Sequence, residues 1–249
     1  MSRLLWRPEA QRSLRGIGAA IAEKLGREGA NVVVNYASDK AGAQRVVTTI
    51  ISLGGKAVAV QADVSKTADI DKLFAETIRS FGKVDILVNN AGVYEFRPLE
   101  AVDVEHFRKQ YDLNVLGLLL TTREAVKHMN GDGGSVINIS SVVAKTPPPA
   151  ASVYAGTKAA VDAISRTLAQ ELAPRHIRVN SLSPGFTETE GLKASVGEDQ
   201  TFRNYAVSRT PLGRAGTGAD IADAALFLAS EDSRWITGEE LLAGGGIRL

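Results

Sequence analysis

Val84-Asp85-Ile86-Leu87-Val88-Asn89-Asn90-Ala91-Gly92 is a short, mostly apolar run that stops abruptly at two amides and a glycine. Residues 84–88 are too few for a helix and read as a buried strand. The polar group behind it has two readings. It is either a plain turn or a binding edge, because ligands of open parallel sheets sit beyond the carboxyl ends of the strands. The same alternation extends outward. Upstream, 31–35 and 57–61 read as strands, while 17–28, 40–53 and 67–81 carry apolar residues at helical spacing. Downstream, 104–130 reads as one long helix, 135–140 as strand, 152–173 as helix, 178–181 as strand, 219–230 as helix and 240–242 as a last short strand. Strands separated by helices define an α/β fold: a doubly wound parallel sheet in three layers, with right-handed crossovers. No repeat, linker or low-complexity tract divides the chain, so 1–249 is read as a single domain.

Composition narrows the function. Twenty-nine basic and 28 acidic side chains give a net charge of +1, so there is no general electrostatic reason to expect nucleic acid or an anionic membrane as partner. The absence of cysteine excludes disulfides, thiolate catalysis and cysteine-ligated metal. It fits a reducing compartment, and a cytoplasmic location is expected. His106, His128 and His176 lack ligand spacing, so no metal site is expected. No apolar run reaches the ~18 residues of a membrane span. Residues 188–214 are polar and weakly periodic, as in a substrate lid or binding loop.

Three features carry chemistry. Gly16-Ile17-Gly18 opens a helix, where glycines let the backbone approach a pyrophosphate at the positive helix end; a tight turn with close packing is the plainer reading. Ser140-Ser141 ends a strand, and Tyr154 and Lys158 lie four residues apart on one helix face. An ammonium beside a phenol favours phenolate and lowers the tyrosine pKa from ~10 toward neutrality, which suits a proton donor and acceptor. Alone, Tyr-x-x-x-Lys is more often an exposed pair.

In combination and in this order, Gly-Ile-Gly, Asn89-Asn90-Ala91-Gly92, Ser141, Tyr154, Lys158 and Asn180-Ser-Leu-Ser-Pro184-Gly185 resemble the short-chain dehydrogenase/reductase family from about Gly16 onward. The branch resembled is the single-domain one that includes 3-oxoacyl carrier-protein reductases, with a Rossmann-type fold and a dinucleotide-binding, catalytic domain. The resemblance implies that Tyr154 is general acid/base and Ser141 orients the carbonyl or hydroxyl. Lys158 would lower the tyrosine pKa and hold the nicotinamide ribose, and Asn114 would anchor a water of the proton relay. Asp63 and Val64 would contact adenine; Asn90, Ala91 and Gly92 would line the adenosine-to-ribose wall. Pro184, Gly185, Thr187 and Thr189 would hold the carboxamide and phosphates, with Gly16, Ile17 and Gly18 at the pyrophosphate. The strand 31–35 ends at Asn35 with no acid until Asp39, and Arg15 precedes Gly16. Both features favour the 2′-phosphate of NADP over NAD. The implied reaction is NADP(H)-dependent interconversion of a small-molecule carbonyl and alcohol, by a homotetramer or homodimer. The alternative is an NAD-linked alcohol or sugar dehydrogenase.

The resemblance breaks at residues 1–15. Where the family carries Thr-Gly-x-x-x-Gly-x-Gly after a hydrophobic strand, this chain has Gln11 and Arg12, preceded by Trp6-Arg7-Pro8-Glu9. Proline and charges do not suit a central buried strand, so the first strand is expected to be missing or aberrant. A frameshift or misassigned start would explain the abrupt switch at Arg15-Gly16. Divergence would instead leave a catalytically impaired member with a binding or scaffold role.

Overall fold

The computed structural model describes residues 16–129, 133–189 and 200–247. Helix α1 (Ile17–Arg27) turns Ile21 and Leu25 inward, and Gly26 lets it approach α2 (Lys40–Ser52), where a Cβ would strike Ile50. Between them β1 (Asn31–Tyr36) runs parallel to β2 (Lys56–Gln61), with Asn31 opposite Lys56 and Tyr36 opposite Gln61. Helix α3 (Thr67–Phe81) follows and stops at Gly82, whose φ of 83° is left-handed. A second parallel sheet runs in the order β3 (Ile86–Asn89), β4 (Gly134–Ile139), β5 (Ile177–Pro184), β8 (Glu240–Ala243).

Strand alternation sends side chains to two separate cores. Val136, Ile177 and Val179 pack with Ile70, Phe74 and Ala125 on one face. Ile137, Ile139 and Leu182 pack with Ile21, Ile221 and Leu228 on the other. Helices α3, α5 (Leu118–Ala125) and α6 (Ser152–Leu172) cover the first face, and α1 and α8 (Gly218–Ala229) the second. This is the expected three-layer, doubly wound arrangement. Among the described residues no ladder joins β1 to β3, and that is the position of the first strand in such a sheet. The reading of an aberrant strand there, and of Arg15 as a cofactor contact, falls on residues outside the described ones.

Three local expectations are corrected. The stretch 104–130 is not one α-helix. It is α4 (Val104–Tyr111), a π-helical turn (Asp112–Gly117) and α5; Asn130 lies outside the described residues. The wider turn seats Gly117 against the Val64 carbonyl, which a Cβ would approach to 2.8 Å. Strand β5 is longer than 178–181, because the Asn180 side chain links it to the loop before β8, donating to the Ile236 carbonyl and accepting from the Glu239 N–H. Strand β3 begins at Ile86 rather than Val84, since the Val84 N–H goes to the His128 carbonyl instead of a ladder. In the lid region, β6 (Thr187–Glu188) pairs with β7 (Gly216–Thr217), and α7 covers Gln200–Ser208. Among the described residues no helix is long and apolar enough to cross a membrane.

Candidate active site

The carboxyl ends of β3, β4 and β5 open into a cleft of about 250 Å³. Its lining includes Ile17, Asn90, Gly92, Tyr94, Ser141, Tyr154, Lys158, Pro184, Gly185, Thr187 and Thr189. The two asparagines after β3 part ways. Asn89 turns into the protein, donating to Thr122 Oγ1 at 2.9 Å and to Asn138 Oδ1 at 2.8 Å, its partner in the ladder. Asn138 in turn donates to Ser165 Oγ at 2.9 Å. Asn90 faces the cleft and α1: a Cβ on Gly18 would lie 2.5 Å from Asn90 Nδ2, so a larger residue there would push the amide aside.

The N-terminus of α1 forms one wall. Gly16 caps it without a side-chain hydrogen bond, and its first turn carries no acid. A Cβ on Gly16 would meet nothing within 4 Å. Among the described residues no side chain caps this positive helix end, which suits an anionic phosphate group. The residues present therefore fit the pyrophosphate of a dinucleotide.

The opposite wall carries Ser141, Tyr154 and Lys158. Ser141 caps a short 3-10 turn, its Oγ accepting from the Val143 N–H at 3.2 Å. On α6, Lys158 is buried, and its Nζ donates to the Ile139 carbonyl at 2.9 Å and lies 5.8 Å from the centre of the Tyr154 ring. Here the structure corrects an expectation. Burial pushes the Tyr154 phenol above its ordinary pKa, the Ser141 hydroxyl draws it down, and Tyr94 raises it again. Lys158 is not among the groups that lower it. Burial also depresses Lys158, to about 8, against the opposing pull of Asp162. Asp162, one helical turn on, is buried and its carboxyl is pushed up by burial.

Asn114 is 2 % exposed, and its side chain accepts from the Val93 N–H at 2.9 Å and donates to the Val93 carbonyl at 2.8 Å. It also donates to Thr157 Oγ1 on α6 at 3.1 Å. The π-helical turn thus ties the loop after Gly92 to the Tyr154 helix, the kind of site where such turns recur. Gly185 approaches Gly244 so closely that a Cβ would lie 2.7 Å from its Cα. Thr187 Oγ1 donates to the Gly185 carbonyl at 3.1 Å.

The remaining candidates lie at the ends of β1 and β2. Asn35 Nδ2 donates to the carbonyls of Val60 and Ala62, at 3.3 and 2.9 Å, which fastens the two strand ends together. Asp63 accepts from the Ser65 N–H and Oγ, so its carboxyl is held below the ordinary range. Val64 is buried, and Ala91 is exposed beside Asn90. Asp39, the first acid after β1, caps α2 by accepting from the Gly42 N–H at 2.8 Å. Sequence reasoning missed Tyr94, Phe186 and Asp162. The i+4 spacing from Lys158 was the available signal for Asp162, and the position just after Gly92 was the one for Tyr94. Among the described residues no cluster of three or more metal-ligating side chains occurs.

A doubly wound sheet, a glycine-opened helix and a Ser–Tyr–Lys cluster facing one cleft define a nucleotide-dependent oxidoreductase. The family model described as enoyl-(acyl carrier protein) reductase matches residues 12–248. An uncharacterized oxidoreductase of Methylorubrum extorquens is 54% identical over 234 residues, covering 94% of each chain. A 3beta-hydroxysteroid dehydrogenase of Eggerthella lenta is 41% identical, covering 95% of this chain and 91% of that one. The solved angucycline C-6 ketoreductase LanV, with bound NADP, superposes with a TM-score of 0.87 at 36% identity, covering 94% of this chain and 91% of that one. The chain belongs to the short-chain dehydrogenase/reductase family. It is an NAD(P)-dependent oxidoreductase working between a carbonyl and an alcohol.

Proposed function

We propose that the enzyme uses NADP(H) and transfers the substrate proton through Tyr154. The observation that carries this reading is the shared cleft: Ser141, Tyr154 and Lys158 on one wall, the uncapped α1 terminus on the other. When bound, the cofactor supplies or accepts the hydride. The α1 backbone at Ile17 and Gly18 would take the pyrophosphate, Asn90 to Gly92 would border the ribose, and Pro184, Gly185, Thr187 and Thr189 would flank the nicotinamide. Asp63 and Val64 stand at the adenine end. Lys158 would hold the nicotinamide ribose. The Tyr154 hydroxyl donates its proton to the substrate oxygen during reduction and recovers it in the reverse direction, while Ser141 holds that same oxygen. Asn114 keeps the loop at Val93 in position for this exchange.

Preference for the 2′-phosphate rests on the end of β1. No acid stands in β1 or at its end, and Asp39, the first beyond it, is turned to the α2 cap, where its Oδ1 accepts from the Gly42 N–H. Calorimetric titration with NADPH and NADH tests the cofactor. NADPH should bind at micromolar affinity and more tightly than NADH. Failure of both to bind would overturn the reading, and tighter NADH would reverse the preference. The enzyme works in the cytoplasm as a homodimer or homotetramer, with Val104 and Phe107 of α4 and Leu116 of the π-helical turn, exposed apolar side chains, in the interface. A monomeric mass in solution would refute the assembly.

A further inference from the structure

The loop after Gly92 has no regular secondary structure, yet it is fastened along its length. Besides the Asn114 clamp on Val93, Gln110 Oε1 accepts from the Glu95 N–H at 3.3 Å, and Gln110 Nε2 donates to the Glu95 carbonyl at 3.1 Å. His106 Nε2 lies 3.0 Å from the same carbonyl. Gln110 and His106 are 0% and 1% exposed, so two fully buried polar side chains are committed to one backbone unit. The Glu95 carboxylate pairs with Arg97 and Lys109, and the Arg97 N–H donates to the Ala150 carbonyl just before α6.

Burial alternates residue by residue along this loop. Val93, Glu95 and Arg97 are half-buried, while Tyr94 and Phe96 are exposed. Their rings do not scatter. Tyr94 and Phe96 lie 6.2 Å apart, and each lies 6.0 Å from the Tyr154 ring, all three tilted at 49–58°. Tyr94 and Phe96 still show 42% and 49% of their surface to solvent. Folding alone gives no reason to hold two rings half in water against the proton-transferring phenol, at the cost of burying a glutamine and a histidine behind them. A ligand gives one: rings fixed in advance lose little conformational freedom on binding and offer stacking faces. The charges behind the wall are mutually paired, so the surface offered is apolar and without net attraction for an anionic carrier.

We propose that Tyr94 and Phe96 are a preset stacking wall, held by Gln110, His106 and Asn114, that selects a planar, ring-bearing carbonyl over an acyclic one. The proposal rests on Tyr154 being the proton-transferring group and deepens that reading to a substrate class.

The test compares 1-indanone with 2-nonanone, which have equal carbon counts, using NADPH as cofactor. The native chain should favour indanone in kcat/KM by at least ~10-fold. Phe96→Leu should lower that preference about 10-fold, about 1.4 kcal/mol, through the indanone KM, and Phe96→Tyr should keep it. Calorimetry of the cofactor-free chain with 2-naphthol supplies a readout independent of turnover, with binding weakened several-fold in Phe96→Leu. Phe96 is half exposed, so these variants should fold. Equal use of both ketones by the native chain, or a preference and naphthol affinity unmoved by Phe96→Leu, would overturn the wall while leaving the oxidoreductase reading intact. Turnover of neither ketone with either cofactor would overturn both.

Discussion

Strands β4 and β5, which end at the cleft, differ in burial from β1 and β2, which lie outside its lining. Every residue of β4 and β5 is buried or half-buried, and most are buried. Yet Asn138, Asn180, Ser181 and Ser183 are among them. β1 is a run of three valines that stay only half-buried, with exposed asparagines on either side. The strands that lead to Ser141 and Pro184 are therefore sealed and internally polar, and β1 is apolar and more open. Buried amides tied to fixed partners, Asn138 to Asn89 and Ser165 and Asn180 to the backbone at Ile236 and Glu239, permit one arrangement and penalise slippage. Valine packing tolerates adjustment more readily.

The contrast can be broken most severely at its chemical end. Tyr154→Phe should reduce kcat/KM by ~10²–10⁴ with the melting temperature little changed; retained turnover would remove Tyr154 from the proton step. Next, Ile137→Ala, at a fully buried position of β4, should cost ~2–5 kcal/mol by urea unfolding. Val33→Ala on half-buried β1 should cost clearly less, and equal losses would erase the difference between the halves. On the nucleotide side, Ser38→Glu puts an acid just beyond β1, where it would repel a 2′-phosphate and accept from a ribose hydroxyl. The ratio of NADPH to NADH affinity should fall about 10-fold.

The smallest effect expected is on pH. Lys158 is held at about 8 by burial, so its ammonium is lost as pH rises past that value, and the cofactor KM should climb there. Asp162 favours the ammonium, so Asp162→Asn should move the onset to lower pH; an unmoved profile would sever the two residues. Stability runs the other way. The unfolded lysine, at 10.5, binds a proton that the fold releases, so the burden of burying Lys158 eases between pH 8 and 10.5.

Much of the architecture was legible because Val-Val-Val, Ile-Leu-Val and Val-Ile-Asn-Ile report burial directly. β5 was read short because its polar residues look like loop, and only the contacts of Asn180 with Ile236 and Glu239 explain their place in a strand. Asn89 and Asn90 were legible as a pair of interest. Their division of labour was not, since it depends on which side of β3 each falls. The order Ser141, Tyr154, Lys158 led to the cleft, but it could not show that burial would raise the phenol, with Ser141 as the group that draws it down. Tyr94 went unread because an alternating stretch outside any sheet leaves no periodic signature longer than itself.

The π-helical turn at Asp112–Gly117 also bears on how this chain could be edited. Such a turn holds one residue more than an α-helix of the same span. Deleting a single residue beside Asn114 would yield a smoother and intrinsically better helix. It would also swing the asparagine by roughly 100° about the axis, off the Val93 backbone, so an improvement in regularity would arrive as a loss of activity. A gap of one residue in an aligned relative at this point is therefore a mark of altered chemistry rather than of harmless length variation.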